Sequence, residues 1–227
     1  MIPRSIKIAG QGLLTLAWWC GALFGSAGLL TWRRGWICTA LYLGSMIATG
    51  MLVRRRNPGL LQQREKGIHQ GTRTFDRIFL CAFLPLAMVL PAVAGLDAVR
   101  FGWNPMPGWT LYPGIGVLVA SAILIAWVMV RNPHAETSVR IQADRGHRVV
   151  ATGPYGLVRH PMYVGLILLY FAQALILGSM WALVIASLIA ALFLWRTAME
   201  DKVLRKDLPG YEEYTSMTRY RLMPGLW

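Results

Sequence analysis

Apolar residues fall in long, almost uncharged runs that alternate with short basic segments along the 227 residues of this chain. A helix needs about 20 apolar residues to cross the hydrocarbon core of a membrane. Four runs meet or approach that length, and we predict a membrane span in each of them: 8–30, 35–53, 78–96 and 109–130. The first run follows Arg4 and Lys7 as the apolar part of a signal peptide would. It is too long for that and has no clear cleavage site, so we interpret it as a span.

A fifth uncharged region, 162–195, is too long for one span and short for two. Gly178 and Ser179 lie near its middle, and a Gly-Ser pair at such a place indicates a turn. We therefore predict a tight hairpin of two short helices. The chain is then an all-α integral membrane protein of six spans, with five as the alternative.

The composition agrees with membrane insertion, because 56% of the residues are hydrophobic and only 15% are charged. The formal charge of +13 would indicate nucleic-acid binding in a soluble protein. Here the basic residues lie between the apolar runs, where they set the orientation of the spans and contact anionic lipid headgroups. We expect membrane lipids as partners and no nucleic acid.

Lys and Arg residues are divided unevenly between the two sides that these spans create. One side has 20 of them, whereas the other has only Arg33, Arg34 and Arg100. Basic residues favour the cytoplasmic side. Both termini and both long loops are therefore expected in the cytoplasm, at the inner membrane if the organism is a prokaryote. Five tryptophans are expected to form an interfacial belt on the far side: Trp32, Trp36, Trp103, Trp109 and Trp181.

The chain divides into two parts at the end of the fourth predicted span. Residues 1–130 form a four-span membrane region with a cytoplasmic loop at 54–77, in which 60–74 is either an interfacial helix or a solvated connector. Residues 131–227 comprise a polar loop (131–161), the hairpin (162–195) and a C-terminal segment (196–227). This last segment is expected to begin as an extension of the last span and to restart as a short helix after a break at 208–210. The cysteines lie in apolar runs without paired spacing, so we interpret all three as core residues and predict no metal site: Cys20, Cys38 and Cys81.

Ionisable side chains converge where the polar loop meets the hairpin. The loop ends at Arg159 and His160, and the hairpin returns the chain to the same side at Arg196, close to Glu200 and Asp201. Arg196 and Glu200 are one helical turn apart, so they could form merely an exposed ion pair worth about 0.3 to 0.5 kcal/mol.

Two further features of this region have structural alternatives. His160 could be a cap residue before a first-turn proline, Pro161. Tyr155 and Tyr163 could be interfacial anchors. Spacing alone leaves both a functional site and these simpler interpretations open.

One motif carries a family resemblance. Gly153-Pro-Tyr155 followed by Arg159-His-Pro-Met-Tyr-Val-Gly165, with Arg196 and Glu200-Asp201 after the hairpin, resembles the isoprenylcysteine carboxyl methyltransferase family and its bacterial and archaeal relatives. The resemblance covers roughly 131–227, whereas the first four spans contribute only hydropathy. Its Arg-His-Pro-x-Tyr-x-Gly core is shared with phospholipid N-methyltransferases and sterol reductases.

The resemblance implies that S-adenosylmethionine binds on the cytoplasmic side and that its methyl group passes to a membrane-embedded acceptor. Residues 131–227 would be the catalytic region, with 131–161 as the cofactor loop. Arg196 would face the acceptor, and His160 is the candidate base or a cofactor-positioning residue. Gln142 matches only with a small gap, and Asp201 stands where relatives carry a second glutamate. The expected cofactor-binding residues are Gln142, His147, Arg148, Val149, Val150, Tyr155, His160, Pro161, Met162, Tyr163, Glu200 and Asp201.

The resulting hypothesis is an S-adenosylmethionine-dependent methyltransferase acting on a lipophilic or prenylated acceptor, most simply a carboxylate. Phospholipid N-methylation and an NADPH-dependent oxidoreduction of the sterol-reductase type are the alternatives. A non-catalytic scaffold or transporter is disfavoured, because few ionisable residues lie inside the spans. The identity of the acceptor, the methylated atom and the oligomeric state stay open, although Gly21 and Gly25 permit helix pairing.

Overall fold

The computed structural model describes residues 4–64 and 71–227, and the regular elements in these ranges are helices. The prediction of an all-α chain is confirmed for this part. The α-helices are α1 (Arg4–Cys20), α2 (Arg33–Arg56), α3 (Pro58–Arg64), α4 (Thr74–Gly95), α5 (Leu111–Arg131), α6 (Pro161–Leu177), α7 (Met180–Asp207) and α8 (Tyr211–Met217). Short π-helical segments extend α1 and α4 (Gly21–Gly25 and Leu96–Arg100), and short 3₁₀ turns precede α5 and interrupt the α5–α6 loop (Gly108–Thr110, Ala143–Arg145 and Gly153–Gly156).

Four of these helices are long and apolar enough to cross a membrane. They are α2, α4 with its extension, α5 with its preceding turn, and α7. A shorter apolar helix, Gly12–Gly25, covers the end of α1 and its extension, and α6 has 17 residues, about 25 Å of helix. Several apolar helices thus support an integral membrane protein, but the predicted count of six spans is not confirmed.

The hairpin is unequal rather than a pair of short helices. The first arm, α6, ends at Leu177 as expected, whereas α7 continues past Trp195 to Asp207. Its 28 residues correspond to about 42 Å. The expected extension of the last span beyond 195 is confirmed, and α7 ends just before the predicted break at 208–210.

The predicted turn between these arms is confirmed at Gly178 and Ser179. Gly178 has a φ of +76°, and a Cβ atom there would lie 2.3 Å from the guanidinium of Arg34. The hydroxyl of Ser179 accepts a hydrogen bond from the backbone N–H of Ala182 (3.0 Å) and donates one to Asp97 (2.6 Å). Only glycine suits the first position, and the second is a helix N-cap.

Arg34 is one of the three basic residues on the side of the membrane that has few of them, and the structure gives it a structural role. Its Nε donates to the carbonyl of Ile176 (2.7 Å), and its Nη2 donates to Leu175 O (2.8 Å) and to Thr110 Oγ1 (2.7 Å). The last carbonyls of a helix have no partner within that helix. Arg34 therefore caps α6 and ties the start of α2 to the hairpin turn.

Two contacts bring four helices together in pairs below the polar loop. Gly165 lets α6 approach α5 closely, since a Cβ there would lie 2.7 Å from Ile125. Phe79 of α4 packs against Phe193 of α7 at 5.1 Å between ring centroids. The first turns of α4 and α6 consequently lie beside the C-terminal half of α7.

Two local predictions differ from the structure, and a third extends partly beyond the described residues. Trp32 is buried beside Phe24, whereas the other four tryptophans of the predicted belt are exposed. Cys81 is exposed on α4, so the interpretation of all three cysteines as core residues was wrong for this one. Helix α3 includes the start of the predicted interfacial segment 60–74, and 65–70 lie outside the described residues.

Candidate functional site

A cleft lies where the α5–α6 loop packs over α8 and the C-terminal half of α7. It encloses about 840 Å³ of empty space, including its open mouth. Of the predicted site residues, Pro161 and Asp201 are not part of its lining. The structure brings together the others in its walls: Gln142, His147, Arg148, Val149, Val150, Tyr155, His160, Met162, Tyr163, Arg196 and Glu200.

Tyr155 is fixed at the floor of the loop by contacts from both sides. Asn132, at the end of α5, donates to its hydroxyl at 2.7 Å. Its carbonyl accepts hydrogen bonds from Tyr214 (2.7 Å) and Thr218 (3.2 Å). Burial raises the pKa of Tyr155, so its phenol is neutral at physiological pH. The Gly153–Gly156 turn is thereby tied to α5, α8 and the residues after α8.

Gln142 organises a pair of histidines on another wall. Its side-chain amide donates to the carbonyl of His134 at 2.8 Å, and its backbone N–H points to Nδ1 of His147 at 3.4 Å. The two imidazole rings lie 4.5 Å apart. Burial lowers the pKa of both histidines, and the pKa of His147 falls to about 4. Two neutral imidazoles therefore line the cleft at neutral pH.

These histidines predict an acid sensitivity. The folded-state pKa of His147, about 4, lies below the unfolded value of about 6.5. Between these values the unfolded chain binds protons that the folded chain does not, so stability is present above pH 6.5 and falls as the pH approaches 4. We expect the melting temperature of detergent-solubilised protein to decrease over this window, and His147→Gln to decrease less. An identical pH profile in the variant would contradict the assignment.

An ion-pair network holds the rim of the loop. Glu136 accepts hydrogen bonds from Arg140 (2.9 Å and 3.1 Å) and from Arg145 (3.2 Å). Arg140 also pairs with Asp144 at 2.7 Å. Single surface pairs contribute little to stability, but linked pairs restrict a loop more effectively. The network fixes the segment in which Gln142 lies.

Arg196 is buried and pairs with a carboxylate that the sequence did not indicate. Its Nη2 lies 2.8 Å from Oδ1 of Asp76 on α4 and donates to the carbonyl of Thr137 at 2.9 Å. The other oxygen of Asp76 accepts the backbone N–H of Val139 at 2.7 Å. An exposed ion pair of Arg196 with Glu200 is therefore wrong as an explanation, since Arg196 is 6% exposed and engaged elsewhere.

Aromatic rings surround the same guanidinium and extend toward the loop. Arg196 lies 4.4 Å from the ring centre of Phe79 and 5.2 Å from that of Tyr163. The ring of Tyr163 is nearly parallel to that of His160, at 5.8 Å. The hydroxyl of Tyr163 donates a short hydrogen bond to Glu200. The first turn of α6 and the end of α7 thus form one continuous wall.

Asp201 connects structural elements instead of facing the cleft. It is fully buried and lies within 3.2 Å of Nε of Arg159, Arg205 and Arg221, and 3.1 Å from the hydroxyl of Tyr211. Successive residues of a helix point about 100° apart. Since Glu200 faces the cleft, its neighbour points toward α8 and the C-terminal residues. The prediction that Asp201 binds cofactor finds no support in this placement.

Several residues of the cleft escaped the sequence interpretation. Tyr211 and Tyr214 line it, but the sequence indicated only that a helix restarts there. Asp76 does not line the cleft itself; it pairs with the lining residue Arg196 and lies far from the motif in the sequence. Two buried polar atoms in the lining, Oγ of Ser138 and Nε of Arg196, have no hydrogen-bond partner among the described residues. They are donors available to a ligand. Within 4–64 and 71–227, no three metal-binding side chains come together.

A family comparison covers the elements that build most of this cleft. Residues 109–209 match a family model described as phospholipid methyltransferase. The match spans α5, the loop, α6 and α7, slightly less than half of the chain, and it omits Asp76 and α8. A comparison with curated proteins finds no match. This segment is thus similar to membrane methyltransferases, and the closer resemblance to isoprenylcysteine carboxyl methyltransferases is not confirmed.

Proposed function

We propose that this protein is a membrane methyltransferase that uses S-adenosylmethionine to methylate a lipid or a lipid-linked molecule. One observation carries the proposal beyond the family match. The hydrogen bond from Tyr163 to Glu200 joins residues 37 positions apart across the hairpin, so the Arg-His-Pro motif and the acidic residue after it line the same cleft.

The donors and acceptors of the cleft fit this cofactor. Glu200 offers a carboxylate to an ammonium group or to ribose hydroxyls. The rings of His160 and Tyr163 lie beside it, and a tyrosine face can attract a cation with about 0.5 to 2 kcal/mol. Gln142 and the segment 147–150 also line the cleft, and we propose that they contact the base or the ribose.

The protein does not have to activate the methyl group for transfer. S-adenosylmethionine supplies a methyl group that is already activated by a positively charged sulfur. The side chains of the cleft therefore need to bind, to align the reacting atoms and to exclude water. The rigid loop, tied down at Tyr155 and Gln142, serves these three tasks.

The acceptor is best explained as an amine headgroup of a phospholipid. Asp76 already balances the charge of Arg196, and Glu200 adds a further negative charge nearby, which favours a cationic or neutral acceptor over an anionic one. An amine must lose a proton before it can react, and His160, which lines the cleft, is the candidate base. The phospholipid methyltransferase description of the matched segment agrees with this choice.

A carboxylate acceptor is the second candidate. The unpartnered donors at Arg196 Nε and Ser138 Oγ favour it, because they suit carboxylate oxygens. The same donors also suit the phosphate or ester oxygens of a phospholipid. Incubation of the reconstituted protein with methyl-labelled S-adenosylmethionine and defined lipids distinguishes the two acceptors. Labelled phosphatidylethanolamine identifies N-methylation, and a labelled fatty acid or prenylcysteine ester identifies O-methylation.

Binding of the cofactor product gives the direct test of the site. We expect S-adenosylhomocysteine to bind the purified protein in calorimetric titration and Glu200→Ala to weaken that binding at least about tenfold, the loss of one charge-assisted hydrogen bond. Glu213→Ala, which changes an exposed glutamate on α8, is the matched control and should bind normally. Wild-type protein that fails to bind, or that instead enhances NADPH fluorescence, would overturn the proposal.

The cleft is proposed to face the cytoplasm. The excess of Lys and Arg residues in 54–77, 131–159 and the C-terminal segment supports this orientation. Labelling of a cysteine introduced at Glu213 with a membrane-impermeant reagent in oriented vesicles would test it, and labelling from the outside of intact cells would exclude it.

A further inference from the structure

A second cleft lies beside the first and is built by the residues after α8. It encloses about 890 Å³ of empty space, including a wide mouth. Four arginines line it: Arg159, Arg205, Arg219 and Arg221. Arg159 lines both clefts and therefore forms part of the wall between them. Neither the family match nor the proposed methyl transfer assigns a role to this place.

Backbone hydrogen bonds and a cation–π contact fix the chain around the second cleft. The backbone N–H groups of Arg159 and His160 donate to the carbonyls of Tyr220 and Arg221, each at 2.9 Å. The guanidinium of Arg221 lies 4.9 Å from the ring centre of Trp227. The backbone of the chain after α8 is thus fixed against the residues that precede α6.

Positive charge in this cleft is only partly balanced within the protein. Asp201 pairs with Arg159, Arg205 and Arg221, and Glu212 pairs with Arg205. These are two side-chain carboxylates for four guanidinium groups. Arg219 is exposed and has no ion-pair partner in the described part of the chain. Arg159 is 6% exposed, and its buried Nε lies at ion-pair distance from Asp201 but makes no hydrogen bond among the described residues. Donors for an anion with several oxygens are therefore present.

Exposed apolar side chains belong to the same C-terminal segment, and one of them, Leu226, lines this basic cleft. Met217, Met223 and Leu226 are 73%, 55% and 77% exposed. A soluble phosphate would gain nothing from them, whereas a lipid places its phosphate next to its own apolar chains. Exposed apolar residues beside arginines are the composition of surfaces that bind anionic lipids. Charge and apolar surface thus favour the same ligand.

We propose that the second cleft binds the phosphate group of an anionic membrane lipid, with Arg219 and Arg159 as its principal donors. Met217, Met223 and Leu226 contact the acyl region or the interface. The binding of this lipid does not require methyl transfer, so the site can be tested apart from the activity of the first cleft.

Native mass spectrometry of the detergent-solubilised full chain tests this assignment. Titration with phosphatidylglycerol should give lipid-bound protein at concentrations where phosphatidylcholine gives little. Arg219→Gln should weaken phosphatidylglycerol binding about fivefold, the effect of one basic residue near an anionic lipid. Arg219→Lys, which keeps the charge, should retain most of the binding. Arg77→Gln is the matched control, because it removes the same charge from an exposed arginine of α4.

Three results would overturn the proposal. Equal retention of the two lipids would show that charge does not select the ligand. Equal binding by Arg219→Gln and Arg77→Gln would show that the lipid contacts the surface generally. Displacement of phosphatidylglycerol by inorganic phosphate at equal concentration, with no loss of affinity in Leu226→Ser, would assign the cleft to a soluble phosphate.

Discussion

Replacement of Arg196 by alanine is expected to lower the kcat of methyl transfer at least about 100-fold, the usual effect of removing a positioned donor from an active site. Binding of S-adenosylhomocysteine should be largely unchanged. The guanidinium is held by Asp76 and lies against Phe79 and Tyr163, and of these three residues only Tyr163 is proposed to contact the cofactor. Labelled methyl transfer and calorimetric titration of the same preparation measure the two effects separately.

Two further variants serve as controls for charge and for a general effect on the helix. Arg196→Lys keeps a positive charge near Asp76 but loses the planar fork of donors, so the protein should fold and still lose most of its rate. Lys202→Ala changes an exposed residue of the same helix and should leave both quantities unchanged. Equal losses of cofactor affinity and rate in Arg196→Ala would assign Arg196 to cofactor binding or to structure.

Hydropathy predicted the helices better than it predicted their ends. The uncharged run at 162–195 and the Gly178-Ser179 pair were enough to place the hairpin turn. Hydropathy alone does not place the end of α7, because Arg, Glu and Lys are good helix formers and continue the helix beyond the apolar run, but the Leu208-Pro209-Gly210 break predicted that end. The helix ends at Asp207, before Pro209 and Gly210, which are local stop signals independent of polarity.

The candidate site was predictable to the extent that its residues are neighbours in sequence. The motif 159–165 and the Glu200 turn could be seen directly, and helix geometry decides which residue of the Glu200-Asp201 pair faces the cleft. Asp76 could not be found in this way. An ion pair between α4 and α7 leaves no spacing pattern in a single sequence, and the family match does not extend to Asp76. Long-range pairs of this kind need a structure.

Removal of the Asp76 carboxylate is expected to destabilise the protein strongly. In Asp76→Ala the buried guanidinium of Arg196 loses its counter-charge and the backbone N–H of Val139 loses its acceptor. Breaking one half of a buried ion pair costs about 3 to 5 kcal/mol, which corresponds to a decrease of about 10 °C in melting temperature for a chain of this size. Thermal unfolding in detergent measures it. Asp76→Asn keeps an acceptor for Val139 and should decrease the melting temperature less.

A double replacement separates the structural role of this pair from its role in activity. Asp76→Leu combined with Arg196→Met removes both charges, and buried ion pairs replaced by apolar residues of similar volume often leave stability unchanged or raise it. We expect the double variant to recover most of the melting temperature lost in Asp76→Ala but no methyl transfer, because the donors of Arg196 are absent. A double variant as unstable as the sum of the single variants would show that the two side chains are not coupled. A stable double variant with full activity would instead show that the pair only holds α4 against α7, and the acceptor would then have to be positioned by Ser138 and the loop.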